Sequence, residues 1–157
     1  MRRTFRPGGQ ALRKGRYSCP GQVYFITSVC KDRTPRFADD LAARTAGFCL
    51  MDARTWPDAR CLGWVLMPDH LHALILLGEK ESLSLVMQRV KSLIAARVNQ
   101  CHGTSHALWQ KGFHDHALAA HAHIPEFARY LVNNPVQAEL VENSGDYPHL
   151  WLDQTFL

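Results

Sequence analysis

Apolar and polar positions change period several times along the chain, and each change marks an element. Residues 22–29 (QVYFITSV) are dense in aromatic and β-branched side chains and predict a strand. Residues 31–36 contain Pro35 and predict a loop. Residues 39–56 predict a helix with acids in its first turn and Leu41, Phe48 and Met51 available for a buried face; Pro57 and Asp58 end it. Residues 60–67 (RCLGWVLM) and 71–77 (LHALILL) predict two strands around the polar turn Pro68-Asp69, and so an antiparallel hairpin. Residues 82–99 predict the longest helix. Val86, Val90, Leu93, Ile94 and Arg97 share one of its faces, and Gln88, Lys91, Ser92 and Asn99 lie on the other. Residues 101–112 predict a loop, residues 112–118 a fourth strand, and residues 124–133 a short helix. Pro125 falls in the first turn of that helix, where a missing N–H costs little, and Pro135 disturbs or ends it. From Asn143 the chain reads as mostly irregular. The order β-α-β-β-α-β-α predicts an α+β fold, an antiparallel sheet with helices packed on it.

Length and composition change this picture little. A chain of 157 residues is one domain by the usual prior, with ordinary globular composition, and its longest apolar runs fall short of a membrane span. Charge changes it more. Residues 1–36 carry nine Lys or Arg against the single acid Asp32, a net of +8, whereas the rest of the chain nets −4. A basic arm on a mildly acidic body points to a polyanionic partner, foremost nucleic acid. Pro7, Gly8, Gly9, Gly15, Pro20 and Gly21 favour an extended arm over an amphipathic membrane helix. The first twenty residues lack the apolar stretch of a signal peptide. Five cysteines with no CxxC pair argue for reduced thiols in a cytoplasm, with Cys30, Cys49 and Cys61 as small buried hydrophobes.

Candidate chemistry begins at His70-Leu71-His72. On a strand, residues two apart project to the same face, so both imidazoles point together while Leu71 turns into a core. Two neutral imidazoles on one face are half of a divalent-metal site, although a surface pair has the same pattern. Asp69 either shapes the turn or joins that site. Tyr130 and Asn134 are four apart, which on a helix stacks a phenol and an amide on one face. The same spacing suits a core tyrosine with a wet hydroxyl and a helix-ending asparagine. His114-Asp115-His116 places two more histidines on one strand face, with Asp115 or His116 available to support the first pair; His121 and His123 read as bystanders.

These motifs resemble a known family. Tyr24-Phe-Ile-Thr27, Arg33-Thr-Pro35-Arg-Phe37, Met67-Pro-Asp-His70-Leu-His72, Met87-Gln-Arg-Val-Lys91-Ser, Trp109-Gln-Lys-Gly-Phe-His-Asp115-His116 and Tyr130-Leu-Val-Asn-Asn134-Pro135-Val-Gln-Ala-Glu-Leu140 together resemble the single-tyrosine HUH transposases. The REP-associated tyrosine transposases are the most similar branch, and the resemblance runs from about residue 3 to residue 151. It implies an HUH-endonuclease, ferredoxin-like palm over residues 22–142, preceded by a DNA-contacting arm at residues 1–21 and followed by a tail at residues 143–157. It implies a strand transferase acting on single-stranded DNA at REP-like hairpins in the cytoplasm, associated with the nucleoid. Tyr130 would attack the phosphodiester and form a 5′-phosphotyrosine. His70, His72 and Asn134 would hold Mg²⁺ or Mn²⁺, although relatives often carry Gln at the Asn134 position. Arg13, Lys14, Arg16, Arg89 and Lys91 would contact DNA, Tyr17 would stack on a base, and Asp115 and His116 would support the metal site. Glu139 departs from the glycine common in relatives, which bears on the turn and not on the chemistry. A hairpin-binding protein without cleavage is the alternative, and oligomeric state is open between monomer and homodimer.

Overall fold

All seven residues of β1 (Val23–Val29) are buried, so this strand must be covered on both faces and paired on both edges. The computed structural model, which describes residues 18–156, shows how. After β1 come α1 (Asp40–Met51), β2 (Ala59–Met67), β3 (His70–Leu77), α2 (Leu83–His102), β4 (His114–Ala117), α3 (Ile124–Gln137) and β5 (Leu150–Leu152). The five strands form one antiparallel sheet in the order β4-β1-β3-β2-β5. Arg13, Lys14, Arg16 and Tyr17 of the predicted arm lie outside the described residues.

Alternation sorts the strand residues onto two faces. Tyr24, Ile26, Leu71, Ala73 and Ile75 join the core under α1 and α2. Val23, Phe25, Val65 and Leu74 join a second core under α3, with Ile124, Ala128 and Leu131. Leu71 is fully buried on the first side, so its neighbours His70 and His72 face α3. The expected hairpin is present, with Met67 paired to His70 across the Pro68-Asp69 turn. Two backbone bonds anchor that turn, from Cys30 N to the Asp69 carbonyl (2.8 Å) and from Phe37 N to the Pro68 carbonyl (2.9 Å).

Helix α1 corrects one expectation. It ends at Met51, followed by a 3₁₀ turn at Ala53–Thr55, and it buries Ala42, Ala43, Ala46, Gly47, Cys49 and Leu50. Leu41, Phe48 and Met51 are exposed, Phe48 at 74%. Small residues win the inner face because the helix lies close to the sheet: a Cβ on Gly47 would sit 3.2 Å from the Trp64 ring. Helix α2 starts at the Ser82 cap, whose hydroxyl accepts from Leu85 N, and ends at left-handed Gly103. Arg97, expected on its buried face, is exposed there, and Val98 takes that place.

Helix α3 runs two residues beyond Pro135. A proline removes one helical bond, but Pro135 is buried and the ladder resumes with Ala138 N to the Asn134 carbonyl at 3.0 Å. The helix closes with Glu139 N to the Val136 carbonyl (3.0 Å) and Leu140 N to the Pro135 carbonyl (2.9 Å), with Glu139 left-handed at φ 59°. This is a Schellman closure. The segment after Asn143 is not wholly irregular, because β5 pairs with β2 at Gly63, Trp64 and Val65. Tyr147 fastens it by donating to the Leu66 carbonyl, and burial pushes that phenol up to about 12. Cys30, Cys49 and Cys61 are buried, as expected. Among the described residues no helix is long and apolar enough to cross a membrane.

Candidate active site

The site forms where the start of β3 passes beneath α3. His70 and His72 project together, with their Nε2 atoms 3.1 Å apart. Each ring is held from behind. His70 Nδ1 lies 2.6 Å from Asp69 Oδ1, and Arg33 donates to the other Asp69 oxygen at 3.2 Å. His72 Nδ1 lies 2.8 Å from the Thr27 hydroxyl, which the β1–β3 register places directly opposite. Asp32 and Arg33 both have positive φ (56° and 51°), so the bend that delivers the guanidinium is a strained one.

The electrostatics follow from burial. His72 is 6% exposed, and burial, reinforced by the electrostatic effect of neighbouring His70, lowers its pKa to about 3 against the weaker opposing effects of the Ile26 carbonyl and Asp69. The ring is therefore neutral near pH 7, as a metal ligand must be. Burial pushes Asp69 upward, but the hydrogen bonds and charges of His70 and Arg33 outweigh it and hold the carboxyl below the usual range.

Tyr130 comes to this pair from α3. Its ring centroid lies 6.0 Å from that of His72 and 5.6 Å from that of Phe25, edge-on to both. Phe25 also packs against His72 (5.1 Å) and Phe127 (5.6 Å), so an aromatic floor fixes the distance between helix and strand. Asn134 follows one turn after Tyr130 and is half-buried. One chain thus brings the tyrosine to the histidine pair, and Asn134 lies on the same helix as Tyr130.

The other candidates fall elsewhere. His116 pairs with Phe25 across β1–β4 and stacks on Phe127 at 5.3 Å, with Phe127 and Phe25 between it and Tyr130. Asp115 pairs with Ile26 and belongs by alternation to the opposite face. His114 shares the histidine face opposite Thr27. Arg89 and Lys91 sit on α2, across the sheet from the histidines. Arg89 grips Glu81 with both guanidinium nitrogens (2.9 Å for the longer bond) and reaches the Thr55 carbonyl at 3.3 Å. Lys91 donates to the Gln110 carbonyl (3.1 Å) and the Gly112 carbonyl, and burial lowers its pKa. The roles of Thr27 and Arg33 were not apparent from the sequence. Strand parity puts Thr27 on the histidine face, but only the register puts it opposite His72.

The donor set fits a divalent cation in part. Two nitrogens bound at right angles to one ion, each about 2.1 Å away, lie about 3 Å apart, close to the observed separation. Among the described residues no group of three or more His, Cys, Asp or Glu is placed to hold a metal. The remaining ligands would therefore be oxygens, from the Asn134 amide, water or a substrate phosphate.

The profile of the IS200-like transposases matches residues 20–134, most of the chain. The chain belongs to that family. It is 23% identical over 139 residues to a Haemophilus influenzae protein provisionally named a REP-associated tyrosine transposase, covering 82% of this chain and 78% of that protein. Among solved structures, a REP-associated tyrosine transposase bound to a REP hairpin superposes with a TM-score of 0.69 at 23% identity, over 86% of this chain and 79% of the other. A Deinococcus radiodurans protein provisionally named a transposase superposes with a TM-score of 0.55 at 19% identity, over 77% and 96%. At these identities the superpositions speak for the fold, and the IS200-like transposase fold agrees with the α+β architecture expected from element order.

Proposed function

We propose that this transposase-family chain cleaves and rejoins single-stranded DNA beside REP-like hairpins, with Tyr130 as nucleophile. The observation that carries this reading is the approach of Tyr130 to His72, the ring paired with His70, within one chain. The relatives named for REP association, one of them bound to a REP hairpin, supply the substrate class.

In the cleavage step the Tyr130 oxygen bonds to phosphorus and the bond from phosphorus to the 3′ oxygen breaks. The phenolic proton passes to water, and the departing 3′ oxygen takes up a proton to leave a 3′-OH. The DNA end stays linked to the protein as a 5′-phosphotyrosine. Attack by an incoming 3′-OH reverses the step and restores the phenol, so the ester stores the energy needed for resealing. A phenol of pKa about 10 is mostly protonated near neutrality, so positive charge beside the phosphate is needed. His70, His72 and the Asn134 amide would hold Mg²⁺ or Mn²⁺, which supplies that charge when bound. The neutral state of His72 keeps a lone pair available, and the aromatic floor holds the phenol at the edge of the site.

Arg13, Lys14 and Arg16 would contact phosphates at the hairpin foot, and Tyr17 would stack on a base. The test uses labelled single-stranded hairpin oligonucleotides from repeats flanking the gene, with Mg²⁺, Mn²⁺ or chelator. A metal-dependent covalent protein–DNA band that disappears in Tyr130→Phe is the expected result. Hairpin binding with no adduct under either metal would favour a non-cleaving binding protein. A nick that survives Tyr130→Phe would remove Tyr130 from the chemistry.

A further inference from the structure

A furrow lies where the loop before β4 meets the end of β1, and no step of the proposed cleavage uses it. Its outer part is polar. Lys31, Arg33, Arg36 and Lys111 line two adjoining hollows there, with Asp32 as the one acid among the described lining residues. Arg33 is committed to Asp69, but Lys31, Arg36 and Lys111 make no ion pair among the described residues. The inner part is an open cleft of about 580 Å³, where Trp109, Phe113 and Leu108 meet Gln88 and Ser92 of α2. Trp109 and Gln110 line both parts, so the two are continuous. Backbone bonds fix the walls, from Lys31 N to the Leu108 carbonyl and from Gln110 N to the Val29 carbonyl, both at 2.9 Å. Trp109 Nε1 donates to the Lys91 carbonyl at 3.0 Å, and its ring packs on Phe37 at 5.5 Å.

Cations without acid partners beside an aromatic cleft match a nucleic-acid single strand, whose phosphates need positive charge and whose unpaired bases need an apolar ring to stack on. Three cations spread over two hollows suit a chain of phosphates better than one compact anion. We infer that the furrow seats the single strand flanking the cleaved bond: Lys31, Arg36 and Lys111 hold backbone phosphates, and an unpaired base enters the cleft against Trp109. Arg33 joins this furrow to the site, since the same guanidinium lines the outer hollow and donates to Asp69, the partner of His70. The inference rests on the single-stranded DNA substrate of the proposed function, but not on Tyr130 as nucleophile.

The test measures binding of labelled hairpin oligonucleotides in chelator, bare or with a single-stranded flank on either side. A flank on one side should tighten binding about tenfold. Lys31→Gln, Arg36→Gln and Lys111→Gln together should abolish that gain and leave the affinity of the bare hairpin unchanged. They should also flatten the log–log salt dependence of flanked binding by about 2, at about 0.7 for each single-strand phosphate contact. Lys31 and Lys111 are exposed, so their double variant decides the phosphate half even if half-buried Arg36→Gln fails to fold. 5-Iodouracil placed along the flank should crosslink to Trp109 from one position, and an abasic site at that position should weaken binding about tenfold. The crosslink needs no substitution in the protein, so it decides the base half directly. A flank gain that survives the charge variants overturns the inference, as does the lack of a gain from either flank. Crosslinks confined to residues outside 31–36 and 107–113 also overturn it, as does a deoxynucleoside triphosphate that binds the furrow more tightly than the flank. A flank held in the furrow without any DNA adduct removes only the role of Tyr130, and an adduct formed without a flank gain removes only the furrow.

Discussion

Replacing Glu139 by glycine should stabilise the protein. Glu139 closes α3 with φ 59°, in the left-handed region, where its backbone N–H bonds the Val136 carbonyl and the next residue bonds the Pro135 carbonyl. A residue with a Cβ is disfavoured there by about 1–2 kcal/mol. Glycine removes that cost but loses more backbone entropy on folding, about 0.5–1 kcal/mol relative to alanine. The net gain is about 0.5–1 kcal/mol, or a melting temperature raised by about 1–4 °C for a chain of this size. A carboxylate at a helix C-terminus also opposes the helix dipole. Glu139→Ala removes that charge while keeping the Cβ, so the difference between Gly and Ala isolates the conformational term. Urea and thermal denaturation of the three proteins, at low and high salt, measure it. Equal stability of the Gly and Ala variants, or a less stable Gly variant, would refute the reasoning. Glu139 is exposed and lies beyond Asn134, so adduct formation by Tyr130 should be unchanged.

Other expectations test the frame and the DNA-facing charges. The Asp58 carboxylate accepts from Lys80 N (2.6 Å) and Glu81 N (2.7 Å), and although burial pushes its pKa up, these backbone bonds outweigh it and hold it below 3.8. Its stabilisation is present above pH 4 and lost as pH falls through the lowered value, so an acid titration of Asp58→Asn should lack that component of the wild-type decline. Gly78→Ala should destabilise by about 1–3 kcal/mol or more in denaturant, because its Cβ would lie 1.8 Å from the Asp58 carbonyl oxygen. Arg89→Ala should cost about 1 kcal/mol of stability and leave hairpin affinity unchanged. By contrast, neutralising Arg13, Lys14 and Arg16 together should flatten the salt dependence of hairpin binding by about 2–3 in log–log slope. Phe48→Ser should change stability by less than about 0.5 kcal/mol in the same melts, since the ring is already exposed.

Legibility varied with the range of the interaction concerned. The β2–β3 hairpin could be read because its signal is local: two apolar runs around a polar turn. The common face of His70 and His72 was legible for the same reason, since strand alternation is a property of one segment. The α1 face was misread because hydrophobicity favours Leu41, Phe48 and Met51, whereas the helix turns Ala42, Ala43, Ala46, Gly47, Cys49 and Leu50 inward and approaches Trp64 so closely at Gly47 that no larger residue fits there. β5 was missed because three residues carry no measurable period, and their pairing depends on a partner some ninety residues earlier. Arg89 and Lys91 are basic residues on a helix, a pattern that suits DNA contact, and only the fold shows that Glu81 and loop carbonyls also engage them.

Local patterns in the chain record the succession of elements, the paired direction of the two histidines and the helical stacking of Tyr130 above Asn134. Each of these depends on spacing within one segment. Packing between segments is what lays α3 across the histidine face of the sheet and brings the Tyr130 ring to 6.0 Å from that of His72. It alone decided that Thr27 backs one imidazole while Asp69 and Arg33 back the other. These relations depend on strand register and helix docking, which arise when separate segments bury their apolar faces against one another, and no local pattern records which residues then meet.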